Sequence, residues 1–268
     1  MKVAFWSNLH GQSGTTSNMI GVGIISALSY NSKVFLGQSH YNLNNLEDPF
    51  LGISREDKKT YFMNVGIDAI VRAIKSIYLD EETIENCTLS FLNKRLMLLP
   101  STVKTNQKIY EEDIDKTIVS ILEAMDKYYD MVFIDVNTRG NAITRKIIDN
   151  VDLLVVNLSQ NLNLLNDYEE NFLEKFQDKN VFYIFGNYNP NSSYSLSNLR
   201  KTYTWLKTKN IGIIPYNTEF MDSMSDGKII QFFFNNLNSE AKDPNYYFIN
   251  ELKGTTSSLY DLRFNKRR

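Results

Sequence analysis

The chain has 268 residues, 43% of them hydrophobic and 22% charged, the proportions of a globular protein able to bury a sizeable core. A formal net charge of −2 supplies no overall attraction for nucleic acid and excludes indiscriminate coating of it by the bare surface. A single cysteine, Cys87, excludes an intrachain disulfide and argues against a cysteine-ligated cluster, while no run approaches the roughly 18 apolar residues of a membrane-spanning helix.

Lys2-Val3-Ala4-Phe5-Trp6 is an apolar run of strand length. Residues 7–17 form a small polar loop punctuated by Gly11 and Gly14, and from Asn18 the apolar positions Met19, Ile20, Val22, Ile24, Ile25 and Leu28 recur at helical spacing. A strand, a tight loop and a buried helix in that order bring backbone N–H groups and a helix N-terminus to one point. That geometry attracts phosphate. On the general pattern G-x-x-x-x-G-K-[ST], Gly14 fills the second glycine and Thr16 the hydroxyl that binds Mg²⁺. Leu9 stands at the first glycine and Thr15 at the lysine, so the bare motif is not met.

Lys33 to Leu36 reads as a second strand, followed by Gly37-Gln38-Ser39-His40-Tyr41-Asn42, with no carboxylate until Glu47. This is either an ordinary polar loop or one that has lost a water-activating residue. Ser54 to Leu79 is expected to be mostly helical, and Arg95 to Leu99 to be a third strand, ended by Pro100. Lys104 just beyond is either an exposed loop lysine or a group that reaches a phosphate or a partner. Glu111 to Tyr129 is an amphipathic helix leading to strand Met131–Val136, whose nearly unbroken apolar character suits a parallel sheet covered on both faces. Asp135 ends that strand, where carboxylates of such sheets face the ligand crevice; its alternative role is a loop cap.

Strands are further expected at 153–158, 181–185 and 211–214, with helices near 162–176 and around Leu196 to Leu206. Phe232–Phe234 reads as core or dimer face rather than a membrane wedge, and the last ten residues read as a frayed, solvated tail.

Several of these landmarks together resemble the ParA/MinD superfamily of deviant P-loop ATPases, whose loop reads K-G-G-x-G-K-T-[ST]. The corresponding residues are His10, Gly11, Gln12, Ser13, Gly14, Thr15, Thr16 and Ser17. The glycines and hydroxyls match; His10 and Thr15 stand where the two lysines would be. Tyr129 to Asp135 resembles the "YDxVxID" strand, Phe185-Gly186-Asn187 the segment whose Asn contacts adenine, Pro100 and its neighbours the "LPA" segment, and Ile211 to Tyr216 the "GxIPxD" strand end around Pro215. Within the superfamily the degenerate loop is most similar to TadZ/CpaE-like pilus-assembly proteins.

The resemblance implies an α/β fold: a three-layer α/β/α sandwich with a mainly parallel sheet of about seven or eight strands, of P-loop NTPase type. It implies a single domain over 1–268, with a family core to about residue 230 and a C-terminal helical extension and tail over 231–268. It also implies ATP or ADP bound weakly with Mg²⁺, through residues 10–17, Asn187 and Pro215, with Thr16 and Asp135 at the metal and Asp135 the candidate catalytic carboxylate. Hydrolysis is expected to be weak or absent, because both cationic side chains are missing and a charge-assisted hydrogen bond contributes about 1.5–3 kcal/mol. The implied role is a dimeric pseudo-ATPase that positions or recruits a pilus or secretion ATPase or another assembly protein. The alternatives are an active ATPase of partition or septum placement, or a nucleotide-free scaffold closed by Leu9 and Gln12. The expected location is cytoplasmic, at most peripheral to the inner face of the membrane, with no strong nucleic-acid signal.

Overall fold

A computed structural model describes residues 1–41, 46–52, 62, 64–76, 79–138 and 140–265, the side chains only as far as residue 262. Eight strands form one sheet in the order β3-β4-β2-β5-β1-β6-β7-β8. They are β1 Lys2–Trp6, β2 Val34–Gln38, β3 Leu89–Phe91, β4 Leu96–Leu98, β5 Met131–Asp135, β6 Leu153–Leu158, β7 Val181–Tyr188 and β8 Ile211–Pro215. All neighbouring pairs are parallel except β3 and β4, which are antiparallel.

The alternation of each strand splits the core into two layers. Val3 and Phe5 of β1 pack with α1 (Thr15–Ser29), whereas Ala4 and Trp6 face the opposite layer. That opposite layer holds α3 (Ile67–Ser76), α5 (Gln107–Tyr128), α6 (Ala142–Asn150), α7 (Leu162–Asn171) and α8 (Leu196–Thr202). The α1 layer also holds α2 (Asp48–Leu51), α9 (Thr218–Ser225), α10 (Ile229–Asn236) and α11 (Tyr246–Asn265). The expected sandwich and mainly parallel sheet are therefore present. Among the described residues no helix is long and apolar enough to cross a membrane.

Four expectations need correction. The helix expected over Ser54 to Leu79 is described only as α3, Ile67–Ser76; residues 53–61, 63, 77 and 78 lie outside the described residues. A short helix, α4 (Glu81–Asn86), and the antiparallel β3 were not anticipated, because elements of six and three residues carry too little periodicity. The helix expected near 162–176 breaks after Asn171 into a 3₁₀ turn, Glu174–Phe176. Of the last ten residues, expected as a frayed tail, 259–265 continue the 20-residue α11, and 266–268 lie outside the described residues. Leu252, Leu259 and Tyr260 on α11 are buried, and the Tyr260 ring stacks on Tyr30, just after α1, at 4.0 Å between centroids. Phe232 and Phe233 are core, as read, whereas Phe234 is 63% exposed.

Candidate functional site

β1 lies between β5 and β6, with β2 and β6–β8 extending to opposite sides, so the sheet reverses its order at β1. Crevices at the C-terminal ends of strands beside such a reversal are where open α/β sheets bind ligands. The loop after β1 and the end of β5 meet there: Phe5 is in register with Asp135, and the backbone N–H of Ser39, just after β2, donates to the Asp135 carbonyl at 3.0 Å.

The loop is held from beneath by a buried polar relay. The Ser13 hydroxyl donates to the Ser7 hydroxyl at 2.9 Å. The Asn18 amide donates to the Ser13 carbonyl and to the Asn157 side-chain oxygen, both at 2.9 Å, and the Asn157 amide in turn donates to the Trp6 carbonyl at 3.3 Å. Asn157 is wholly buried in β6, so each of these partners answers a polar group that burial would otherwise leave costly. Gly186 of β7 lies against the same loop: a Cβ there would stand 2.0 Å from the Ser13 carbonyl oxygen. At the loop's start, the Asn8 amide donates to the Leu164 carbonyl and the Asp167 carboxylate of α7 at 2.9 and 2.8 Å.

Gly14, at φ +65°, turns the chain into α1 in the left-handed region that favours glycine. No side chain caps α1 there, and its first turn carries no acidic residue. Its first N–H groups and the positive end of its dipole face the crevice without a side-chain competitor. The Thr16 hydroxyl donates to the Asp135 carboxylate. Asp135 is only 2% exposed. Burial pushes its carboxyl up from the ordinary carboxylate range, while nearby His40, the Thr16 hydrogen bond and His10 pull the other way.

These groups open onto a cleft of about 720 Å³. His10, Gly11, Gly14, Thr15, Thr16, Ser17 and Asp135 line it, and His40, Tyr41, Asn137, Thr138 and the segment Asp48–Pro49 face them, with Met221, Met224 and Ser225 of α9 forming a further wall. Among the described residues its lining contains no lysine or arginine. Of the expected ligand residues, Gln12, Ser13, Asn187 and Pro215 do not line it. Ser13 points inward as a support of the loop, and Asn187, at φ +49°, holds its amide nitrogen 3.6 Å from where a Gly14 Cβ would be.

Lys104 is elsewhere: its ammonium lies 2.6 Å from Asp113 and 3.5 Å from Asp68. Glu47 does not face the cleft as a base but accepts from the Ser101 N–H and hydroxyl, fastening the Pro100 turn. Arg139 lies outside the described residues. The supporting roles of Asn18, Asn157 and Gly186 were not read from the sequence, although Gly186 stood in the segment quoted for Asn187. Asn157 carried a signal, a polar side chain inside an otherwise apolar strand.

Neither a family model nor a curated protein matches the sequence. Solved structures do match in three dimensions. A ParA family ATPase from Chlorobium tepidum TLS superposes with a TM-score of 0.74 at 13% identity, over 96% of this chain and 98% of the other. The fold is that of the ParA and MinD ATPases. The septum site-determining protein MinD complexed with Mg-ADP, from Pyrococcus horikoshii OT3, matches at a TM-score of 0.71 and 12% identity over 98% of both chains. A chain of the MinC:MinD cell division protein complex of Aquifex aeolicus matches at 0.66 and 17%, over 97% of this chain and 96% of the other.

Proposed function

We propose that this chain is a ParA/MinD-like nucleotide-binding protein that hydrolyses ATP negligibly and acts, as a homodimer, to position or recruit a pilus-assembly or secretion machine. The observation that carries the nucleotide reading is the uncapped N-terminus of α1 opening into the cleft beside the Thr16–Asp135 pair. The residues fit the group: the α1 amides suit phosphate, while the Thr16 hydroxyl and the buried Asp135 carboxylate are oxygen donors of the kind Mg²⁺ takes. Bound Mg²⁺ would neutralise phosphate charge.

Support for negligible turnover is the absence of lysine and arginine from the described lining, since charge stabilisation must be present in the transition state. Lys104 is drawn away by two carboxylates, so it is not the replacement. The pilus or secretion role rests on the likeness of the degenerate loop to TadZ/CpaE-like proteins, and the homodimer on the ParA/MinD resemblance. Placement at the inner face of the cell membrane follows from the same reading.

The second reading is an active ATPase of partition or septum placement, which the likeness in fold to a ParA family ATPase and to septum site-determining MinD favours. A nucleotide-free scaffold is disfavoured, because Leu9 and Gln12 leave the cleft open. Calorimetric titration of Mg-ATP into the wild type and Thr15→Lys, with a turnover assay on both and on Lys104→Ala, tests the proposal. Weak binding by the wild type, at least tenfold tighter binding by Thr15→Lys and no turnover by the wild type are expected. Wild-type turnover abolished by Lys104→Ala would establish the second reading instead.

A further inference from the structure

Both histidines of the chain, His10 and His40, line the cleft, one from the loop after β1 and one from the segment after β2. Both lie close enough to Asp135 to act on its charge. The backbone around His40 is braced: the Gln38 amide donates to the His40 carbonyl at 3.3 Å, and the Gln38 side-chain oxygen accepts from the Leu46 N–H at 2.8 Å. The Nδ1 atom of His40 is buried and has no hydrogen-bond partner among the described residues. A buried ring nitrogen without a partner is costly, and a ligand group that reached it would relieve that cost.

The cleft has two chemically different parts. Met221 and Met224 offer an apolar wall, whereas the Thr16–Asp135 pair and the two imidazoles form the polar part. A nucleotide has an apolar base and an anionic tail, and the polar part suits the tail. Phosphates anchored on the α1 amides then extend past Thr16 to the histidines, the only side chains of the described lining that can carry positive charge.

We propose that His40, with His10 opposite it, contacts the terminal phosphate of a nucleoside triphosphate and makes the site prefer the triphosphate to the diphosphate. This rests on the nucleotide-binding reading above. Two imidazoles would thus supply part of what two ammonium groups supply elsewhere, at a contact that a diphosphate does not reach.

The test is calorimetry with two probes, ATPγS and ADP, each with Mg²⁺, on the intact wild type, His40→Ala, His40→Asn and His10→Ala, with thermal midpoints to show that each variant is folded. The expected result is ATPγS affinity about tenfold weaker in His40→Ala and in His10→Ala, with ADP affinity changed less than about twofold. His40→Asn, which keeps a donor, should retain part of the ATPγS affinity. Equal loss for both nucleotides, or no loss for either, overturns the histidine contact while leaving nucleotide binding intact. A wild type that binds neither probe overturns both readings together.

Discussion

Thr16, in the first turn of α1, and Asp135, the last residue of β5, are joined by a hydrogen bond although 119 positions separate them in the chain. The bond ties the helix that offers N–H groups to the strand end that offers a carboxylate. It does so at a place where Asp135 is almost fully buried.

Burial raises the free energy of ionised Asp135, and the direction of its shift shows that the single hydrogen bond and two neighbouring imidazoles do not fully compensate. Asp135→Asn should therefore stabilise the fold, by about 1 kcal/mol or roughly 2–4 °C in thermal midpoint. The same variant should lose any dependence of nucleotide affinity on Mg²⁺. Thermal unfolding and calorimetry with and without Mg²⁺ check the two halves.

Gly186 decides whether the loop can lie down on β7. Gly186→Ala would force the Ser13 carbonyl, and the Asn18 amide bonded to it, out of place. A loss of about 2–3 kcal/mol is expected from overpacking, together with weakened nucleotide binding. Gly140→Ala, with nothing among the described residues within 4 Å of the added methyl, is the control. Denaturant titration of the pair measures the difference.

Asp113 accepts from Lys104 and Lys75, whose hydrogen bonds hold its carboxyl below the usual carboxylate range. A depressed native value means that the unfolded chain takes up the proton first as pH falls. The stabilisation is present above about pH 4, the ordinary range of an aspartate, and is lost as pH falls through the lower native value. Because Lys75 is half exposed, the contribution is about 1 kcal/mol. Asp113→Asn should remove that much at pH 7 and much less in strong acid, as read by urea midpoints across pH.

Leu252 of α11 is fully buried and lies where a Cβ on Gly21 of α1 would touch it. Leu252→Ala should cost about 3 kcal/mol, as for a core leucine. Chemical denaturation measures the loss.

The sheet was legible because β1, β5 and β6 are nearly continuous apolar runs between helical periods, which only a doubly covered parallel sheet accommodates. The loop was legible from Gly14 and Thr16, and Asp135 from its strand end. What stayed hidden depends on distance in the chain. Nothing local tells that Asn157 supports Ser13, that Gly186 must yield to it, or that His40 and His10 face one carboxylate. In α11 the apolar stripe Phe248, Ile249, Leu252, Leu259 and Tyr260 was present at helical spacing, but Gly254, Thr255 and Thr256 interrupt it. The two threonines are nonetheless buried, their hydroxyls bonded to the Ile213 and Leu252 carbonyls. Lys104 could not be placed without knowing that α3 brings Asp68 beside it.

The hydroxyl that Thr255 spends on Ile213 reaches a carbonyl of the outermost strand, β8, and α11 lies along that border. At the far border, β3 is three residues long and runs against its neighbour. Both margins are thus unwelcoming to a foreign strand. Stacking by sheet extension is disfavoured at both margins, which leaves helices and loops as the better surfaces for self-association. Runaway polymerisation through backbone pairing is discouraged by construction.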